Sequence, residues 1–111
     1  MLEILFVSLI HLIQHPETYH HKQVRVVGFA SLKFEGKALY VSKDDFDNAI
    51  TKNAVWLDVE LTDNVKKNHG KCVIVEGVFD ESKKGHLKLY SGSITDIKRI
   101  EIWEGRDKPK E

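Results

Sequence analysis

Four of the six histidines, His11, His15, His20 and His21, fall close together near the start of the chain. His11 and His15 stand at i, i+4, a spacing that puts two imidazoles on one helix face and can hold a zinc ion. Pro16 follows at once and ends such a helix. No third ligand stands at a fixed spacing, so these read as surface histidines, and neither a metal nor a cofactor is expected. The single cysteine, Cys72, has no internal disulfide partner. Its place in a strand offers no helix N-terminus to lower the thiol pKa. Asp44-Asp45-x-Asp47 shares the beginning of a calcium loop but lacks its glycine and terminal glutamate, so it reads as the first turn of a helix. G-x-S-x-G, the P-loop, the dinucleotide glycine pattern and C-x-x-C do not occur in the sequence. The expectation is a protein that is not an enzyme.

The informative residues are aromatic and acidic. In Ala54–Leu61, Val55, Leu57, Val59 and Leu61 alternate with Ala54, Trp56, Asp58 and Glu60. With the aliphatic face turned inward, Trp56 points out. The same alternation turns Leu39 and Val41 in and Tyr40 out. Tyr40 and Trp56 would form an exposed platform, unless the neighbouring segment around Phe46 and Ile50 covers them. Asp58 and Glu60 flank Trp56, whereas Lys33, Lys37, Lys43 and Lys52 fall in turns and at element ends. An aromatic centre with an acidic rim suits a protein partner, particularly a basic one. A single-stranded nucleic-acid groove needs Lys or Arg along the phosphates.

Strands must position these residues. Ser8 is a candidate N-cap for a short helix carrying Leu9, Leu12 and Ile13, and Pro16 starts a second turn reaching Tyr19. Strands are expected from Val24 to Leu32, Ala38 to Ser42, Ala54 to Leu61, Lys71 to Phe79 and Leu87 to Trp103. A short helix is expected at Lys43–Thr51, and a helical turn near Val65 joins the third strand to the fourth. Ile94, Ile97, Ile100 and Ile102 break strict alternation, which predicts a bulge near Asp96. Gly28 and Gly77 mark places where strands can coil sharply. They end two similar runs, Lys22–Gly28 and Lys71–Gly77, which read as converged first strands of hairpins.

One sheet of five strands would leave a face uncovered, whereas closure removes its edges. The expected fold is therefore mainly β: a five-stranded OB-like barrel with a short N-terminal helix and small connecting helices. The barrel core would be Val24, Val26, Leu39, Val41, Val55, Leu57, Val59, Val73, Val75, Phe79, Leu89 and Ile94. A chain of 111 residues suits one domain, placed at residues 1–103, with a solvated tail at 104–111. Seventeen basic residues balance 17 acidic ones, which removes the strongly basic signature of a nucleic-acid binder. The apolar opening run lacks a basic region before it and a cleavage site after it, and is short for a membrane helix. A cytoplasmic protein with no membrane partner is expected.

Ser8-Leu9-Ile10, Leu12-Ile13, Pro16-Glu17-x-Tyr19 and Val24-x-Val26-x-Gly28-Phe29 resemble the opening of a broad set of small bacterial OB-fold proteins. Phe34-Glu35-Gly36-x-Ala38-Leu39-Tyr40, Lys52-Asn53-Ala54-x-Trp56-Leu57, Val75-Glu76-Gly77-x-Phe79 and Lys84-Gly85-His86 extend the resemblance across Ser8 to Trp103. The likeness is strongest to an uncharacterised group within that set, some of whose members look like lipoproteins. This chain has no lipobox cysteine near its start. The resemblance implies the fold and transfers no catalytic residue. Three readings of function follow. The first is a protein-binding module using Tyr40, Trp56, Asp58 and Glu60, in concrete form an immunity-type protein neutralising a basic toxin such as a nuclease. The second is an OB-fold binder of single-stranded nucleic acid. The third is a metal or small-ligand sensor using the histidines.

Overall fold

In the computed structural model, residues 3–105 are described. Strand β1 (Leu5–Phe6) leads to helices α1 (Leu9–Gln14) and α2 (Pro16–Tyr19). Strands β2 (Gln23–Ser31) and β3 (Ala38–Tyr40) precede α3 (Lys43–Asp47), and β4 (Ala54–Leu57) precedes α4 (Asp63–Lys66). Strands β5 (Cys72–Asp80) and β6 (Ser93–Ile102) follow. Ser8 caps α1 as its sequence position suggests, its hydroxyl accepting from His11 N at 3.1 Å. Pro16 opens α2, where its missing N–H costs nothing.

The strands run in the order β2–β3–β4–β6–β5, and β5 pairs back onto β2. This closes a five-stranded mixed barrel of the OB-like kind, in which only the β4–β6 neighbours are parallel. Strand β1 adds a sixth, parallel to β2 on its outside. Helix α4 bridges the third and fourth barrel strands, where the sequence places a helical turn. Among the described residues, no helix is long and apolar enough to cross a membrane.

Closure depends on two places without a side chain. A Cβ added to Gly28 would lie 2.7 Å from the Tyr40 carbonyl oxygen, and one added to Gly77 2.6 Å from the Thr95 carbonyl oxygen. Opposite Gly77 the β5–β6 register shifts, and Asp96 adopts φ 48. That is the expected bulge.

The barrel interior holds Val24, Val26, Leu39, Val55, Leu57, Val73, Val75, Phe79 and Ile94, all fully buried. Leu9 and Leu12 of α1 join this core, and Val41 and Val59 pack partly buried against it. Leu89 does not belong: it is 42% exposed. The long strand expected from Leu87 begins only at Ser93. Before it, Leu87 and Lys88 take left-handed backbone angles, and Tyr90 N bonds locally to Lys84 O, so this stretch is a loop. The strand expected to reach Leu61 likewise stops at Leu57, because Val59 N turns back to Leu57 O at 3.0 Å. Most of the expected tail, residues 106–111, lies outside the described residues.

Candidate functional site

Trp56 sits on the outer face of β4, opposite Ala38 of β3. Its indole is half-buried beneath residues from two loops. From the β2–β3 loop, Lys37 places its ammonium 5.5 Å from the ring centroid while donating to Val59 O at 2.8 Å. From the β5–β6 loop, Tyr90 packs against the ring at 5.4 Å between centroids. Gly85 of that loop lies flat on the indole at φ 73, where a Cβ would come within 2.7 Å of it. Only glycine combines that backbone angle with that approach.

For Tyr40 the structure shows the covered alternative rather than the exposed platform. The residue points away from the barrel interior, as alternation requires, yet it is only 6% exposed. Ala38, Ala54 and Tyr90 enclose it in a second small core, with Phe29, Phe46 and Trp56 packed around. Phe46 of α3 meets it edge-on at 5.5 Å. Burial, reinforced by a hydrogen bond with Tyr90, pushes the Tyr40 phenol up to about 12. Tyr40 is therefore buried under α3 and Tyr90, and only Trp56, beneath the β5–β6 loop, stays half-exposed. Ile50, the other apolar residue expected to help, is 43% exposed.

Asp58 and Glu60 are exposed, but they lie on the segment after β4 rather than on the strand face. Asp58 N still bonds to Ile94 O at 3.0 Å, which fixes its backbone beside the barrel. The large exposed apolar side chains near this face sit on the loops: Phe34, at 82% exposure, between β2 and β3, and Leu87, at 74%, between β5 and β6. Leu87 stands at the start of the expected final strand and Phe34 just after the expected end of the first, and neither position carries a local signal that its side chain is displayed on a loop. Lys33, Lys83 and Lys88 are exposed on the same loops, interleaved with Glu35 and Glu81.

A second charged group lies elsewhere on the barrel. Glu76 of β5 accepts from Arg25 of β2 at 2.8 Å and from Arg99 of β6 at 2.7 Å, and Arg99 also reaches Glu101 at 2.7 Å. Partial burial raises the Glu76 carboxyl, but the Arg99 and Arg25 hydrogen bonds outweigh it and hold the pKa below its usual value. These contacts tie three adjacent strands together. Cys72 is exposed at the start of β5, and desolvation pushes its thiol pKa up, opposite to what an activated thiolate needs.

The four clustered histidines form two pairs. His11 and His15 approach to 4.5 Å between ring centroids, with Tyr19 against His11. His20 and His21 stack at 3.7 Å and meet Asp80, a neighbour that no local spacing could have indicated.

No family model, no curated protein and no solved structure matches this chain.

Proposed function

We propose that this chain is a non-enzymatic binding module that docks a protein partner on the barrel face around Trp56. The observation that carries the reading is the exposure of Phe34 and Leu87 on the two loops that converge on Trp56. In the OB architecture this face and these loops form the usual ligand surface. Burying an exposed Phe or Leu contributes about 1.5–3 kcal/mol each, so the two are natural anchors. Asp58 and Glu60 supply acidic charge beside them. That charge suits a basic partner, of which a toxin domain such as a nuclease, capped by an immunity-type protein, is the concrete form.

The loop lysines favour a second reading, a single-stranded nucleic acid held against Phe34. Glu35, Glu81, Asp58 and Glu60 interrupt any basic track, and phosphate neutralisation supplies most nonspecific affinity. Fluorescence anisotropy with a mixed-sequence oligonucleotide at physiological salt should show no binding tighter than roughly 10 μM. Tight binding that weakens steeply with salt would replace the first reading with the second. For the protein reading, the wild-type chain captures a partner from its own cell extract, and Phe34→Ala or Leu87→Ala loses it while remaining folded. Asp58→Lys slows association in a salt-dependent way. A partner retained by all three variants places the site elsewhere.

A further inference from the structure

Where the chain leaves α2 and enters β2, it passes the far end of β5. Backbone hydrogen bonds fasten the two segments: His21 N donates to Phe79 O at 2.7 Å, and Phe79 N to Lys22 O at 3.0 Å. His21 lies at φ 66, a left-handed conformation uncommon for a residue with a Cβ. Consecutive side chains in extended chain point to opposite faces. Here the two imidazoles stack instead, with centroids 3.7 Å apart and rings inclined by 28°.

Asp80 meets them from β5. His20 Nδ1 lies 3.8 Å from Asp80 Oδ1, and one donor atom from each of the three residues falls within 4.8 Å of the others. Ser82 holds that same oxygen in place, donating to Asp80 Oδ1 from its amide at 2.9 Å and from its hydroxyl at 2.6 Å. Among the described residues this is the one set of three such donors brought together.

We infer that His20, His21 and Asp80 bind a divalent transition-metal ion of the zinc class. The chain supplies two imidazole nitrogens and one carboxylate oxygen, leaving further positions for water or a partner's donor group. Two imidazoles suit zinc, cobalt or nickel, whereas calcium and magnesium take oxygen ligands. Metal–ligand bonds of about 2.0–2.2 Å require the donors to close in by roughly an ångström. His20 Nδ1 must also release the Glu81 N–H that it accepts at 3.1 Å. That is one neutral hydrogen bond exchanged for a metal–nitrogen bond. The site joins the α2–β2 junction to the end of β5, so the ion clips two segments distant in sequence.

Calorimetric titration of the untagged chain with zinc chloride tests this. One zinc ion per chain is expected. His21→Asn keeps a residue that tolerates the left-handed backbone, and Asp80→Asn keeps the shape of the side chain. Each should weaken zinc at least about tenfold, since losing even an outer partner of a metal ligand costs about 10–100-fold. X-ray absorption at the zinc edge should show two imidazoles on the bound ion, a signature that a merely structural histidine would not give. Changing His11 and His15 together to alanine should leave affinity unchanged. Absence of zinc binding, or affinity that survives Asp80→Asn, or loss through the His11 and His15 changes, would overturn the assignment.

Discussion

Val26 and Val75 face each other directly across the β2–β5 ladder, and each is the second valine of a Lys-x-Val-x-Val-x-Gly run. The pairing places a local two-fold at the seam that closes the barrel. Gly77, ending one run, sits opposite Val24, the first valine of the other, and Gly28 sits opposite Val73. Each strand therefore sets two inward valines and one coiling point against the same features of its partner. The likeness between the runs follows from their sharing one task, burying a valine stripe and then bending away to a third strand.

The interior should respond to truncation as a close-packed core does. Leu57 is fully buried, and Leu57→Ala is expected to cost about 2–5 kcal/mol in urea unfolding. Leu89→Ala, on the exposed loop, should stay within about 0.5 kcal/mol. Equal losses would show that Leu89 packs into the barrel after all.

Adding a methyl group at either coiling point should be costly. The new Cβ would press on a carbonyl oxygen at 2.7 Å for Gly28→Ala and 2.6 Å for Gly77→Ala. Backbone on both sides leaves little to yield, and overpacking of this kind costs about 1–3 kcal/mol or more. Thermal unfolding reads the effect directly, and unchanged melting in both variants would mean that the strands do not approach so closely.

Glu76 should give an acid-side signature. Its folded pKa lies below the unfolded value, so its contribution is complete above the ordinary glutamate pKa and fades as pH falls through the folded one. Hydrogen bonds to charged groups contribute about 1.5–3 kcal/mol. Glu76→Gln should lose stability of that order at neutral pH, and the gap to wild type should close in acid. A gap that stays constant down to acid pH would remove Glu76 as its source.

Tyr40 should behave in the opposite sense. Its phenol is raised to about 12 in the fold, so its stabilisation is intact below the ordinary tyrosine pKa and is lost as pH rises through the folded value. An ultraviolet absorbance titration should show a late phenol ionisation that Tyr40→Phe abolishes. A late step that survives Tyr40→Phe, or no late step in the wild type, would mean that α3 and Tyr90 do not cover Tyr40.

Alternation made the barrel legible. The valines of β2 and β5 and the broken spacing around Asp96 each follow from a rule confined to a few neighbouring residues. What stayed hidden depends on contacts distant in the chain. Tyr40 was correctly turned outward, but its cover comes partly from Tyr90, which the sequence had assigned to a strand. Asp58 and Glu60 kept the period of a strand through a stretch where the backbone had already turned on itself. His20 and His21 were visible as a pair, while Asp80 reaches them only because β2 and β5 lie side by side.

That same seam sets a timetable for folding. Val26 cannot meet Val75 until a further 49 residues have followed it from the ribosome. Helix α1 and the β2–β3 hairpin can form early, but the β2 edge that β5 will occupy stays open until then. Non-local pairing of this kind places folding in the millisecond-to-second range rather than the microsecond range of helical bundles. During that interval the exposed ladder of β2 is the segment most open to pairing with a stranger. Arg25 stands on it as a charged guard before it becomes a partner of Glu76.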